Sequence, residues 1–282
     1  MNSQVAAKLD EVLATGRPAL IGYLPLGFPT IEKSIEAVIT LIDAGVDIIE
    51  LGIPYSDPVM DGPTIQAAAQ IALDNGTHPR DVFEVIKRIK AKRPNTPILA
   101  MTYFNPVLRY GVEKFAHDLA EAGGAGLITA DLVPDQGPDW IAAADKYGLD
   151  KVFLVAPSTP PERLKLVASN SRGFIYAAST MGVTGVRAEV GSTAKQLVAN
   201  TRKASAELAA TNLPGEKHVC VGLGVSTAEQ AQEVGSYADG VIVGSAFVKP
   251  LLDDTIPWNG RLTNLANIAK ELSDGVAASR NV

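Results

Sequence analysis

The chain contains 282 residues, of which 46% are hydrophobic, and its 25 Lys and Arg residues against 31 Asp and Glu residues give a formal net charge of −6. This length is sufficient for a large hydrophobic core. The acidic balance argues against binding to nucleic acid or to an anionic membrane surface, because both require a basic face.

Cysteine and histidine content argues against two further classes of protein. The single cysteine, Cys220, cannot form an intrachain disulfide. His78, His117 and His218 are far apart and have no cysteine or second histidine at metal-ligand spacing, so we expect no metal site. No signal-peptide-like run opens the chain, and charged residues interrupt every apolar stretch before it reaches membrane-spanning length. We therefore expect a cytoplasmic protein.

Short apolar runs rich in Val, Ile, Leu and Ala recur along the chain, and each is followed by a turn and an amphipathic segment. The runs predict eight strands, at residues 19–26, 47–53, 97–103, 126–131, 151–156, 174–178, 218–223 and 240–243. The amphipathic segments predict helices, at residues 31–44, 64–73, 80–92, 112–122, 139–147, 161–168, 192–209 and 227–234. Continuously apolar strands that alternate with helices are typical of a parallel sheet covered by those helices.

Eight consecutive strand–helix units in a chain of this length predict a (β/α)8 TIM barrel. The rival is an open doubly wound sheet, but residues 26–29, Leu-Gly-Phe-Pro, are a poor match to the glycine-rich turn that it needs. No linker or low-complexity segment divides the chain, so we predict one domain over residues 1–282. An extra helix at 3–15 could plug the N-terminal end of the barrel, and an amphipathic segment at 258–278 would complete the outer ring.

Glu50 is the first candidate catalytic residue, because active sites of such barrels lie at the C-terminal ends of the strands. Strand alternation places Ile48 and Glu50 on one face, with Ile49, Leu51 and Ile53 on the other. If the latter face meets the helices, Glu50 points into the barrel, where burial raises the pKa of a carboxyl group. Glu50 could then both donate and accept protons. The alternative is a structural glutamate paired with a neighbouring Lys or Arg.

A turn-rich stretch follows at residues 54–64, opens into a helix, and carries Asp57 and Asp61. Two carboxyl groups a loop apart suit a proton-transfer site, in which one moves the proton and the other holds a substrate N–H group or stabilises positive charge. Either aspartate could instead cap the following helix or form a local turn. Capping is the favoured interpretation for Asp57, whereas both interpretations stay open for Asp61.

Glycines close the last two predicted strands and indicate a phosphate site. Gly222 and Gly224 follow the seventh strand, and Gly244 with Ser245 follows the eighth at the start of a helix. Glycine lets backbone N–H groups approach an anion, and the helix N-terminus adds a favourable dipole. Phosphate sites of (β/α)8 barrels commonly lie at these two places. The alternative is a pair of tight turns without a ligand.

The sixth strand carries Tyr176, and the segment after it has glycines at 182 and 185 around Val183 and Thr184. This spacing indicates a hinged loop at residues 182–187, and loops at this end of a barrel often act as lids. The Tyr176 hydroxyl could reach into the barrel, although packing is the commoner role for such a residue. The alternative for the loop is a long connection without function.

Four motifs together resemble the tryptophan synthase alpha subunit family. Residues 49–62 read IELGIPYSDPVMDG, a highly specific signature, and GVTG at 182–185, GLGVS at 222–226 and GSA at 244–246 follow in the order that the family shows. The resemblance covers most of the chain. It implies a lyase that cleaves indole-3-glycerol phosphate to indole and glyceraldehyde 3-phosphate by a retro-aldol step, without an organic cofactor or metal. Pro25 and Phe28 depart from the pattern, which more often has Thr and Asp there.

The resemblance also implies a role for each matching residue. Glu50 would protonate the ring carbon that bears the side chain and help to deprotonate the glycerol hydroxyl, while Asp61 would accept the indole N–H. Thr184 would help to close the loop over Asp61, and Gly185 would contribute a backbone amide. The remaining expected substrate contacts are Gly224, Gly244 and Ser245 at the phosphate, Tyr176 in the site, and Tyr103, Met101 and Ile128 around the indole.

The family's partner is a pyridoxal-phosphate-dependent beta subunit that receives indole through a tunnel, so the resemblance implies an alpha2beta2 complex. The loops around residues 105–106 and 131–135 are expected to form the docking surface. Two alternatives stay open. One is another phosphate-binding barrel enzyme of the same pathway, which would be expected to use a catalytic lysine or an Asp/Cys pair. The other is a non-catalytic phosphate-binding subunit that regulates a partner.

Overall fold

A computed structural model describes residues 3–178, 189–211, 213, 215–222 and 224–280. Within these residues nine strands form one sheet, in which every pairing is parallel. The sheet order is β5-β4-β3-β2-β1-β9-β8-β7-β6 for strands β1 (Ala19–Pro25), β2 (Ile48–Gly52), β3 (Ile98–Thr102), β4 (Gly126–Thr129), β5 (Asp150–Val152), β6 (Leu154–Val155), β7 (Ile175–Ala178), β8 (Val219–Gly222) and β9 (Gly240–Val243). The two outermost strands, β5 and β6, follow each other in the chain, so the sheet curls into the predicted barrel.

One predicted strand, at residues 151–156, is divided into β5 and β6 with Phe153 between them. β5 pairs with β4, and β6 pairs with β7. Side-chain alternation continues through the break, because Val152 and Leu154 face the barrel interior whereas Phe153 and Val155 pack towards the helices. The two short strands therefore share one of eight positions around the barrel. The prediction of one continuous strand is wrong, because the hydrogen-bonding neighbour changes at Phe153.

In the same described ranges, twelve α-helices accompany the sheet: α1 (Gln4–Leu13), α2 (Ile31–Asp43), α3 (Pro63–Asp74), α4 (Asp81–Lys92), α5 (Phe104–Tyr110), α6 (Val112–Glu121), α7 (Pro138–Tyr147), α8 (Pro161–Asn170), α9 (Glu189–Ala210), α10 (Ala228–Gly235), α11 (Ser245–Leu252) and α12 (Trp258–Ala278). The eight helices predicted between the strands are all present, with small shifts at their ends. Sequence patterning misses α5, which has seven residues and contains a proline. Helix α12 packs against α2, α10 and α11 and completes the outer ring, as predicted.

The hydrophobic core has two layers, one between the sheet and the helices and one inside the barrel. Ile49, Leu51 and Ile53 belong to the outer layer, whereas Ile48 belongs to the inner layer. This confirms the predicted orientation of β2, with Ile48 and Glu50 on its inward face. Burial of one such large aliphatic side chain stabilises the fold by about 1.5–3 kcal/mol, so the apolar face fixes the direction in which Glu50 points.

Helix α1 closes the N-terminal end of the barrel, as predicted. Val5, Leu9 and Val12 recur at helical spacing, are buried, and belong to the inner core layer. The backbone N–H of Val5 donates a hydrogen bond to Asp150 Oδ2 at 3.1 Å, which fixes the positive end of the helix against the start of β5. None of the helices in the described ranges has the length and apolarity needed to cross a membrane.

Candidate active site

A cavity of about 200 Å³ opens at the C-terminal end of the barrel. Its lining includes these residues that the sequence places in the site: Glu50, Asp61, Met101, Tyr176, Gly224, Gly244 and Ser245. The expected lid contacts Thr184 and Gly185, with the whole loop 182–187, lie outside the described residues. Pro25 and Phe28, the two departures from the family pattern, do not line the cavity. Phe28 is buried in the outer core layer instead.

Glu50 is completely buried on the inward face of β2. Neither of its carboxyl oxygens has a hydrogen-bond partner among the described residues. Burial raises the pKa of this carboxyl from 4.5 to about 8, so the group holds a proton at neutral pH. The alternative of a structural salt bridge finds no support among the described residues, because none of their lysines or arginines lines the cavity or hydrogen-bonds to Glu50. A protonated carboxyl in a cleft is suited to donate its proton to a ligand.

Asp61 lies on the loop between β2 and α3 and lines the same cavity. Burial raises the pKa of its carboxyl to about 6, against a smaller opposite effect from hydrogen bonding with Tyr103. The Tyr103 hydroxyl also accepts the Met60 N–H at 2.9 Å, which ties this loop to the end of β3. Helix α3 has Gly62 as its N-cap, with no side-chain hydrogen bond. Neither Asp61 nor Asp57 is therefore the cap of α3.

Two glycine turns, which follow β8 and β9, also line the cavity. Gly224 has φ +70°, a left-handed conformation that glycine adopts without strain. Gly244 is the N-cap of α11 and Ser245 its first residue, so the positive end of that helix lies at the cavity. A Cβ atom on Gly244 would meet no atom closer than 3.6 Å. Packing therefore does not require glycine there, and its absent side chain leaves room for a ligand.

Two tyrosines share one arrangement at the cavity, and sequence patterning indicates only Tyr176. Tyr23 of β1 lies over Gly52 of β2, and Tyr176 of β7 lies over Gly222 of β8. A Cβ atom at Gly52 would stand 2.2 Å from the Tyr23 hydroxyl oxygen, and one at Gly222 would stand 2.4 Å from that of Tyr176. The glycines thus make room for both hydroxyl groups. Tyr23 could have been found from the sequence, because side chains alternate along a strand and Ile21, two residues earlier in β1, faces the barrel interior.

The three residues expected around the indole take different positions. Met101 of β3 lines the cavity. Tyr103 follows β3 and contacts the loop that carries Asp61. Ile128 of β4 pairs in register with Met101 and is completely buried in the inner core layer. Ala130, which follows β4, and Leu154 of β6 also line the cavity.

The fold and the cavity together define a class of protein. It is a (β/α)8-barrel enzyme with a buried, protonated carboxyl group that shares a cavity with glycine turns of the kind that bind phosphate. Within the described ranges, no group of three or more His, Cys, Asp and Glu side chains is placed to hold a metal ion.

Comparison with known proteins identifies the family within that class. A profile of the tryptophan synthase alpha chain matches residues 9–277. The chain is 50% identical to the tryptophan synthase alpha chain of Bifidobacterium longum, with 99% of this chain and 93% of that one aligned. It is 51% identical to that of Leifsonia xyli subsp. xyli, with 97% and 98% aligned. A structure of Mycobacterium tuberculosis tryptophan synthase superposes with a TM-score of 0.85 at 46% identity, over 98% of this chain and 99% of that one. The chain belongs to the tryptophan synthase alpha chain family.

Proposed function

We propose that this chain cleaves indole-3-glycerol phosphate to indole and glyceraldehyde 3-phosphate by a retro-aldol reaction, the alpha reaction of L-tryptophan biosynthesis. One observation carries the proposal. Glu50, a buried carboxyl without a hydrogen-bond partner in the described structure, holds a proton at the C-terminal end of the barrel. Membership of the tryptophan synthase alpha chain family supports the same reaction.

The chemistry assigns complementary roles to the two carboxyl groups. Glu50 gives its proton to the ring carbon that bears the side chain, which makes the indole ring electron-poor. Asp61, whose pKa of about 6 leaves it mainly ionised at neutral pH, accepts the ring N–H and stabilises the developing positive charge. The Glu50 carboxylate then takes the proton of the hydroxyl next to the ring. The carbon–carbon bond breaks, its electron pair returns to the ring, and the oxygen becomes that of the aldehyde.

The glycine turns are assigned to the phosphate group of the substrate. Gly224, Gly244 and Ser245 line the cavity, and the N-terminus of α11 supplies a favourable dipole for an anion. Thr184 and Gly185 are assigned to a lid over this end, as a prediction from the sequence. Tyr176 and Met101 line the same cavity. Tyr103 and Ile128 are assigned to the surroundings of the indole from the family pattern alone.

We also propose that the rim of the barrel mouth binds a tryptophan synthase beta subunit in an alpha2beta2 complex. Val59 is 84% exposed and Leu108 is 55% exposed, although large apolar side chains are usually buried in monomers. The Phe104 N–H donates to Asp131 Oδ1 at 2.8 Å, so the two predicted docking loops are joined. The Asn105 side-chain amide donates to the Tyr55 hydroxyl at 3.0 Å and connects them to the loop after β2. These contacts join the loops after β2, β3 and β4, and we assign the joined loops to the partner.

Turnover of indole-3-glycerol phosphate by the purified chain, alone and with a beta subunit, tests both proposals. We expect equimolar indole and glyceraldehyde 3-phosphate, and a higher rate when the partner is bound. Asp61→Asn, which keeps the size of the side chain and removes its charge, should reduce the rate without loss of stability. No cleavage by a correctly folded chain, with or without partner, would contradict the proposed reaction. Independence from metal and organic cofactor, a single domain and a cytoplasmic location remain predictions from the sequence.

A further inference from the structure

When Glu50 loses its proton, the resulting carboxylate has no hydrogen-bond donor among the described residues in this structure. A buried carboxylate is costly unless hydrogen bonds stabilise it, and both Glu50 oxygens lack a partner. No lysine, arginine or histidine of the described residues lines the cavity. The side-chain O–H groups that do line it belong to Tyr23, Tyr176 and Ser245. Among the described residues of the cavity lining, a side-chain donor for the Glu50 anion would therefore be one of these three hydroxyl groups.

The titratable groups around Glu50 come from several elements. Asp61 and Tyr103 lie on the loops after β2 and β3, Tyr176 lies on β7, and Cys220 lies on β8. Asp61 is an acceptor when ionised and would repel a second carboxylate. Tyr103 already accepts the Met60 N–H and interacts with Asp61. Tyr176 leans over Gly222 on β8, which is separated from β2 by β1 and β9.

Tyr23 lies on the strand next to Glu50, at a position from which its hydroxyl group can donate a hydrogen bond to the Glu50 carboxylate. In the parallel pairing of β1 with β2, Tyr23 lies directly opposite Glu50. Its hydroxyl oxygen lies over Gly52, which is the next inward-facing position after Glu50 on the same strand. Burial, with Asp61 and Glu50 nearby, raises the pKa of Tyr23 well above 10, so the phenol keeps its proton and remains a donor.

We propose that Tyr23 is a positioning residue whose hydroxyl donates a hydrogen bond to Glu50 once that carboxyl has given its proton to the substrate. This inference rests on the proposed function of Glu50. The hydroxyl turns towards the anion and stabilises it, and the bond is released when Glu50 regains a proton. Because the bond is made only to the charged form, it speeds the proton transfer and contributes little to substrate binding.

The substitution Tyr23→Phe removes one oxygen and keeps the ring over Gly52. We expect kcat to fall about 10- to 100-fold, the effect of losing one hydrogen bond to a charged group, while KM changes little. Glu50 must begin protonated, so kcat/KM declines as the pH rises through the Glu50 pKa. Loss of a donor to the anion raises that pKa. The basic limb of the profile should therefore move to higher pH in Tyr23→Phe.

A titration of Glu50 by carbon-13 NMR gives a readout that does not depend on activity. Carboxyl-labelled glutamate, with Glu50→Gln to assign the signal, is compared in the wild type, Tyr23→Phe and Tyr176→Phe. We expect the Glu50 pKa to rise by about one unit in Tyr23→Phe and by less in Tyr176→Phe. An unchanged or lowered pKa in Tyr23→Phe overturns the proposal, and so does a larger rise in Tyr176→Phe. Wild-type turnover of indole-3-glycerol phosphate, lost in Glu50→Gln, would leave the proposed function intact in either case.

Discussion

Glu50 and Asp150 are both completely buried carboxyl groups, at opposite ends of the same barrel. Asp150 begins β5 at the N-terminal end, accepts the Val5 N–H at 3.1 Å, and lies 3.5 Å from Arg172 Nε. Glu50 lies on β2 towards the C-terminal end and has no such partner in the described structure. Burial raises the pKa of both, but hydrogen bonds and Arg172 partly offset the rise at Asp150.

The difference separates a structural end of the barrel from a reactive end. At the N-terminal end, the buried carboxyl of Asp150 accepts a hydrogen bond from helix α1 through Oδ2 and faces Arg172, although its Oδ1 has no hydrogen-bond partner among the described residues. At the C-terminal end, a buried carboxyl stays unpaired, which costs stability unless the group holds its proton. Buried polar groups without partners in a stable fold are expected at functional sites. Substitutions at the two ends should therefore affect different quantities, catalysis at one and stability at the other.

Replacement of Glu50 should give the largest effect. Glu50→Gln keeps the shape of the side chain but cannot transfer a proton, so we expect the rate of cleavage to fall by about 10²–10⁴-fold. Binding of substrate should change little, and the free energy of unfolding should not decrease, because the replaced carboxyl has no partner. Steady-state kinetics and denaturant unfolding of the same preparation check this. Near-normal turnover would remove Glu50 from the mechanism.

Much of this contrast can be predicted from the sequence. The alternation of apolar residues in β2 predicts that Glu50 points into the barrel, and the spacing of Val5, Leu9 and Val12 fits a helix that packs one face. The partners of Asp150 cannot be predicted in this way. Val5 and Asp150 are 145 residues apart, and only the closed barrel brings them together. The break at Phe153 is missed for the same reason, since it reflects where the sheet closes.

A second test at the reactive end concerns the glycine turn before α11. A valine at Gly244 would place its methyl groups in the cavity, since even a Cβ there has no closer neighbour than 3.6 Å. We expect Gly244→Val to weaken binding of glycerol phosphate by about 10- to 100-fold, the effect of losing one charge-assisted hydrogen bond. Affinity for free indole should change little. Equal weakening of both ligands would indicate general damage rather than a lost phosphate contact.

At the structural end, Asp150→Asn should lower the free energy of unfolding by about 1–3 kcal/mol, the cost of leaving hydrogen-bonding groups of this kind unpaired. The amide would lose the negative charge beside Arg172 and the end of α1. Turnover per folded molecule should stay at the wild-type value. Asp145→Asn, at a half-exposed aspartate that also contacts Arg172, is the matched control and should cost less. A catalytic defect in Asp150→Asn at full stability would contradict the separation of the two ends.

The smallest effect is expected at His218, which precedes β8 and lies between Glu216 and Asp10 of α1. Burial lowers its pKa, but hydrogen bonds and charge from Glu216 and Asp10 outweigh this and raise it above 6.5. A raised pKa means that the protonated form stabilises the fold, fully below about pH 6.5. That stabilisation is lost as the pH rises through the pKa of the folded state.

The unfolding free energies of the wild type and of His218→Gln, measured across this pH range, check the prediction. The difference between them should shrink as the pH rises, and turnover should not change. Lys217, which pairs with Asp10 at 2.7 Å, lies in the same cluster, so Lys217→Met serves as a control that removes a charge from the cluster and keeps the histidine. A pH-independent difference for His218→Gln would show that the histidine acts by packing alone.

The protonation state of Glu50 at neutral pH is the most direct test of the central claim. An infrared difference spectrum of the wild type minus Glu50→Gln, recorded without ligand, isolates the carbonyl stretch of this one side chain. We expect the band of a protonated carboxylic acid at pH 7, replaced by the carboxylate bands as the pH rises through about 8. Carboxylate bands that are already complete at pH 7 would contradict the claim that an unpaired, protonated Glu50 is the proton donor of this barrel.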